Sequence, residues 1–248
     1  MVKPPAAPTA LGGAAKRAPT GPRRDEPRTV RFNAVMKRTG AMLACIVLLP
    51  ASCERPERST GRADPVKPDE PLPTTVQSRL DEAGWSERVG DGLGLWVSVA
   101  RQRLVGIEGD RVAFVHTCST AARGTGNRAD SYQTPLGWHE IDERFGGEAA
   151  WGAVFKERRL TGEVWRPDEA TGRDLILSRI LWLRGLEPGV NSGPGIDSHG
   201  RYIYIHGTPA EDKLGTPASH GCVRLSNDDV VALYQRAPSG TPVFITEW

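Results

Sequence analysis

From Leu93 onward the chain is written in short apolar runs, and their brevity restricts the possible folds more than any other feature. Leu95–Val99, Leu104–Ile107 and Val112–His116 are each four or five residues long, rich in Val, Leu, Ile and aromatics, and broken by polar or Gly-containing intervals. Runs of that length are strands, because an amphipathic helix needs about ten or more periodic residues. Gly109-Asp110 supplies a two-residue hairpin turn between the last two. The three runs therefore form a meander. Leu136–Ile141, Ala153–Lys156, Glu163–Trp165 and Leu175–Leu183 are further strands, the last apolar enough to be central. Asp142–Ala150 and Arg166–Arg173 read as exposed turns, and Val243–Thr246 closes the sheet. One helix interrupts this pattern at Asn227–Arg236, where Ser226 and Asp229 have capping-box spacing and Val230, Leu233 and Tyr234 recur helically. The expected fold is mostly β, a sandwich-like sheet with one or two short helices.

The residues before Leu93 follow other patterns. Residues 1–35 are dominated by Pro, Ala, Gly and Arg with Phe32 as the sole aromatic, which reads as a disordered leader, with Met36 as an alternative start. Met36-Lys37-Arg38, the apolar run Ala41–Leu49 and the small residues before Cys53 form a secretory signal over 36–52. The run is too short for a span, which needs about 20 apolar residues. Leu49-Pro50-Ala51-Ser52-Cys53 resembles a bacterial lipoprotein box, so Cys53 is the expected lipidated residue. Residues 53–73, rich in Pro, Glu, Arg and Asp, read as a disordered tether, and 74–92 as a helical lead-in with Val76, Leu80 and Ala83 on one side of a helix over Thr75–Ala83. The strand-rich domain that follows the lead-in is then 93–248.

Charge divides the chain the same way. Residues 1–52 hold nine Lys/Arg and two Asp/Glu, a net of +7, so the remainder of a chain whose formal charge is +2 carries −5. A mildly acidic exported part without a basic stripe excludes nucleic acid as a partner.

The reactive side chains gather in 205–224. This stretch holds His206, Gly207, Ser219, His220, Gly221, Cys222 and Arg224. A cysteine attacks as thiolate, and a pKa near 8.5 leaves only a few per cent ionised at neutral pH, so an imidazole must take the proton. His206, at the end of the strand-like Arg201–Ile205, and His220, two residues from Cys222, can each do so. Gly221 permits a tight turn that bares the amides of 221 and 222 toward an oxyanion. Arg224 is of the type that grips a carboxylate bidentately. A zinc site made from His199, His206, His220 and Cys222 is the rival reading, but no CxxC or HExxH pair accompanies it, and Gly, Ser and Arg suit a carbonyl better than a metal. No metal and no cofactor are expected. The loop Thr117–Gln133 is expected near the site, and the Gly/Pro-rich Leu186–Arg201 as a wall of its groove. Of the cysteines, Cys45 leaves with the signal and Cys118 ends an apolar strand, where packing is its expected role. A Cys118–Cys222 bridge would silence the nucleophile.

His206 followed by Ser219-His220-Gly221-Cys222-Val223-Arg224-Leu225-Ser226-Asn227 resembles the signature of the L,D-transpeptidase (YkuD-like) catalytic domain. The resemblance extends to Thr134-Pro135-Leu136-Gly137 and to Gly240–Ile245, so it covers roughly Leu93 to Trp248. It implies that His206 is the base, that the Gly207 carbonyl orients it, that Cys222 forms an acyl-enzyme, and that Ser219 and His220 shape the pocket. It implies an enzyme of the periplasm or cell envelope acting on peptidoglycan stem peptides at the third, diamino-acid residue. The acceptor would be a neighbouring stem or an envelope lipoprotein, with a lipid anchor in the membrane. A carboxypeptidase using water and a non-catalytic, zinc-stabilised wall-binding module are the alternatives.

Overall fold

The computed structural model describes residues 66–169 and 171–248; the leader, the signal and Cys53 lie outside them. Strands β1 (Leu93–Ser98), β2 (Arg103–Glu108) and β3 (Arg111–Thr117) form the expected antiparallel meander. Glu108 pairs directly with Arg111, and Gly109 has φ of 60°, the left-handed conformation that a two-residue turn demands. The remaining strands are β4 (Gly137–Phe145), β5 (Ala153–Lys156), β6 (Arg159–Val164), β7 (Ile176–Gly185), β8 (Tyr204–Gly207), β9 (Val223–Leu225) and β10 (Pro242–Thr246). They make one ten-stranded sheet in the order β3-β2-β1-β10-β4-β7-β5-β6, with β8 on β7 and β9 on β8.

The sheet buries both faces. Along β1, Leu95 and Val97 join one cluster while Trp96 joins another, as period-2 alternation requires. The first cluster takes Leu181 and Leu183 of β7, Ile205 of β8, Val223 and Leu225 of β9, and Val230 and Leu233 of helix α3 (Asn227–Arg236). The second lies on the opposite face of the meander, covered by α1 (Thr74–Glu82) and α2 (Trp85–Val89). Helix α1 has only nine residues and is marginal alone, so its stability comes from burying Val76 and Leu80, about 1.5–3 kcal/mol each. Gly84, at φ of 80°, separates the two helices.

The structure departs from the sequence reading in several places, and the strand expected over Arg201–Ile205 begins only at Tyr204, because Tyr202 takes a positive φ in a turn. Residues 66–73 are not free tether: Asp69 N donates to Val112 O at 2.9 Å, Val112 N to Glu70 O at 3.1 Å, and Leu72 is buried with the second cluster. Leu72 and Val66 on the core and the edge of β3 hold a segment that composition marks as disordered. Strand β4 runs on to Phe145 through what was expected to be a turn, because a bulge between Ile141 and Glu143 lets Arg144 and Phe145 keep pairing with Leu181 and Ile180. Strand β6 starts at Arg159, not Glu163, since Glu157 and Arg158 take positive φ and turn the chain straight back on β5. The capping box is half made. Asp229 N donates to Ser226 Oγ at 3.0 Å, but the Asp229 carboxylate turns to His116 Nδ1, 2.8 Å away. Since Ser226 carries the cap alone, Ser226→Ala should cost about 1 kcal/mol, read from urea unfolding midpoints.

Candidate active site

Strand β8 holds the centre of the site because it lies between β7 and β9. Alternation sends Ile205 into the core and turns Tyr204 and His206 to the opposite face. The parallel register Ile205↔Val223 sets Cys222, one residue ahead of β9, beside Tyr204. Tyr204 N accordingly donates to Cys222 Sγ at 3.4 Å, and Sγ donates to Tyr202 O at 3.5 Å. Strand pairing thus seats the thiol.

His206 Nδ1 is 2.8 Å from Gly207 O. A carbonyl only accepts, so Nδ1 carries the proton and Nε2 keeps its lone pair. Gly207 is needed there: a Cβ would lie 2.5 Å from Asn227 Oδ1 and 2.8 Å from Leu177 O. Asn227, fully buried at the start of α3, donates to Thr208 O and accepts from Ser178 Oγ, fixing the segment that carries the carbonyl.

The turn before the cysteine is tied just as closely. Ser219 Oγ donates to Cys222 O at 2.6 Å and accepts from Gly221 N at 3.2 Å, while Thr134 Oγ1 donates to Gly221 O at 2.9 Å. Gly221 has φ of +131°, where a side chain is strained. Of the two amides expected to face an oxyanion, that of Gly221 is therefore bound to Ser219, leaving that of Cys222. The expected loop Thr117–Gln133 does reach the site: Ala218 N and Ser219 N both donate to Thr120 O at 2.8 Å, and Ala121 N donates to Thr134 Oγ1.

Sequence reasoning missed Asp174. Its Oδ2 accepts from Arg224 Nη2 at 2.5 Å and lies 2.8 Å from His220 Nδ1. Arg224 also donates to Ala218 O at 3.1 Å, and its side chain is only 6% exposed, so its guanidinium is spent on protein groups. Any added carboxylate would have to displace Asp174 to reach it. His220 is directed to the same carboxylate, with 69% of its side chain exposed. No local signal marks Asp174. It follows the polar interval Arg166–Arg173, and only the pairing of β7 with β8 brings it to the cysteine.

Asp174, Ile176, His206, Ser219, His220, Cys222 and Arg224 line one cleft of about 130 Å³. A wider one of about 280 Å³ adjoins it, bounded by Asp130, Tyr132, Arg201, Tyr202 and His220 among others. Gly200 and Arg201 bring the end of the Leu186–Arg201 loop into its wall, as expected. Although Cys222 is partly exposed, burial among its neighbours pushes its thiol up to about 11. Burial holds the His206 imidazole down to about 4. Thiol and imidazole are both neutral near pH 7, and among the described contacts no hydrogen bond joins them. Cys118 is fully buried in the first cluster and unbridged, in keeping with a packing role. The four residues of the zinc reading do not converge: among the described residues, His199 meets Asp142 and Glu143 instead, and stacks on Trp182 at 3.7 Å.

A family model described as the L,D-transpeptidase catalytic domain (YkuD) matches residues 94–245. The probable L,D-transpeptidase YbiS of Escherichia coli (strain K12) is 51% identical over 94 residues, 37% of this chain and 31% of that protein. The probable L,D-transpeptidase ErfK/SrfK of Salmonella typhimurium is 34% identical over 93 residues, 37% of this chain and 30% of its own. The chain thus spans under a third of the length of these curated relatives. Among solved structures, L,D-transpeptidase 3 from Mycobacterium tuberculosis is 17% identical with a TM-score of 0.41, over 63% of this chain and 62% of that one. An L,D-transpeptidase from Xylanimonas cellulosilytica is 22% identical with a TM-score of 0.38, over 71% and 70%. With a model match that takes in more than half of its residues, the chain belongs to the L,D-transpeptidase catalytic domain family.

Proposed function

We propose that this chain is a peptidoglycan L,D-transpeptidase in which Cys222 attacks the carbonyl of the third, diamino-acid residue of a stem peptide. The terminal D-alanine leaves, and an amine of a neighbouring stem or of an envelope protein takes the acyl group. The observation that carries this reading is the Nδ1–H bond from His206 to Gly207 O, which leaves a basic Nε2 in the cleft that also holds Cys222. Export to the envelope, with Cys53 as a lipid anchor, belongs to the same reading.

A thiol near 11 is ionised in only about one molecule in ten thousand at pH 7, so a preformed thiolate does little of the work. Nε2 instead takes the S–H proton as Sγ closes on the carbonyl. The Cys222 amide meets the oxyanion. A buried imidazolium whose pKa is near 4 is a strong acid, and it hands its proton on to the departing D-alanine nitrogen as the C–N bond breaks. Arg224 acts in this scheme through Asp174 and the Ala218 carbonyl, holding the turn that carries the cysteine.

Mass spectrometry of the protein incubated with a tetrapeptide stem tests the proposal. Expected are free D-alanine and a tripeptide acyl mass on Cys222, absent in Cys222→Ala. A carbapenem should label the same residue. No adduct from either reagent would favour the wall-binding reading, and an adduct on Cys118 would overturn the assignment.

A further inference from the structure

We propose that Asp174 selects a cationic amine as the acyl acceptor, and that the acceptor enters through the cleft between Asp174, His206 and Cys222. This rests on the acyl-transfer reading above and specifies its second half.

The position of the base decides which side the acceptor uses. A nitrogen that attacks the thioester must lose a proton as its bond to carbon forms, and His206 Nε2 is the base available for it. His206 lines the smaller cleft and is not among the residues of the wider one. Cys222 likewise lines the smaller cleft and is not among the residues of the wider one. The acceptor therefore comes from the Asp174 side, the side that holds both the base and the sulfur.

Charge decides what the acceptor is. The ionisable groups of the smaller cleft are Asp174, His206, His220, Cys222 and Arg224. Arg224 is covered, its side chain 6% exposed, whereas that of Asp174 is 43% exposed. An incoming molecule therefore meets the carboxylate first, with the guanidinium largely covered behind it. Asp174 Oδ2 is occupied by Arg224 and His220, while Oδ1 has no partner among the described contacts. A primary ammonium carries three donors and fits that vacant acceptor. Arg224 fixes the carboxylate in place, so little side-chain freedom is lost when the ammonium binds.

The step balances without any further reagent. The bound ammonium gives one proton to water, and the neutral amine attacks the thioester carbon. The C–N bond forms, the C–S bond breaks, and the second proton passes through His206 to Sγ. The products are an amide, the free Cys222 thiol and one released proton. Water, which carries no charge, gains nothing from Asp174, so the same residue favours transfer over hydrolysis.

The test reads how one acyl-enzyme partitions. Protein acylated by a tetrapeptide stem is offered Nα-acetyl-lysinamide, a cationic amine, together with hydroxylamine, which is neutral at pH 7, and the two products and the hydrolysed tripeptide are counted. Because all arise from one intermediate, the ratios do not depend on the acylation rate. Asp174→Asn should lower the lysinamide-to-hydroxylamine ratio about tenfold, the worth of one fixed charge partly screened by solvent. Asp174→Glu should keep most of the preference. An unchanged ratio in Asp174→Asn overturns the proposal. Should Asp174→Asn leave Arg224 unpaired and fail to fold, the native protein still decides: its ratio must fall between about 20 mM and about 500 mM NaCl, and a salt-independent ratio overturns the proposal equally. Absence of any acyl mass on Cys222 would bring down the transpeptidase reading itself. An acyl mass with an insensitive ratio brings down this inference alone.

Discussion

His206→Ala should slow acylation of Cys222 by about 10²- to 10⁴-fold at neutral pH, the usual worth of a general base. The effect follows from the two neutral groups. With the thiol near 11 and the imidazole near 4, no resting ion pair exists to activate the sulfur, so the proton must leave during attack. The pH dependence separates this from a structural defect. In the variant only hydroxide can ionise the thiol, so its rate should climb about tenfold per pH unit and level off near 11. The native protein should keep its rate until the imidazole is protonated near pH 4, well below the ordinary histidine range. Stopped-flow measurement of carbapenem acylation from pH 5 to pH 10 makes the comparison. A variant that stays slow at high pH would assign the loss to a disturbed oxyanion site. Undiminished acylation at neutral pH would give the base role to His220.

The candidate residues that the fold gathers in one cleft were legible in the sequence because they are local. His206, Ser219, His220, Gly221, Cys222 and Arg224 fall within nineteen positions, and their chemistry is legible without a fold. The meander and α3 were legible for the same reason, since periodicity and turn chemistry act over a few residues. What escaped was set by distant pairing. Asp174 reaches the cleft only because β7 lies against β8, and that contact turns Arg224 from a free fork into half of an ion pair. Thr134, whose hydroxyl joins Ala121 N to Gly221 O, is another residue whose part is visible only after folding. The fate of 66–73 was hidden similarly, since composition cannot show that the edge of β3 will accept a partner.

Acidification should destabilise the fold well before its carboxylates titrate, because two histidines are buried without charge. His206 is one. His139 on β4 is the other, fully buried, with Nδ1 3.0 Å from Gly137 O and Nε2 2.9 Å from Ser198 Oγ. Burial holds each down to about 4. In the unfolded chain an imidazole takes its proton near 6.5, so between about 6.5 and 4 the unfolded state binds more protons than the folded one. Stability therefore falls as pH falls through that window, by about 3 kcal/mol for each histidine, and the loss is complete once both states are protonated below about 4. The Asp229 carboxylate adds its own loss only at lower pH, since its hydrogen bond from His116 holds it below its ordinary range. Urea unfolding between pH 7.5 and pH 4 should show this decline. His139→Gln removes one of the two titrations, so its curve should be about half as steep although the variant begins less stable. A native curve that is flat from pH 6.5 to pH 4 would mean that neither histidine stays neutral on folding. The general-base role of His206 would then have to be reconsidered along with the acid sensitivity, because both depend on the same uncharged imidazole.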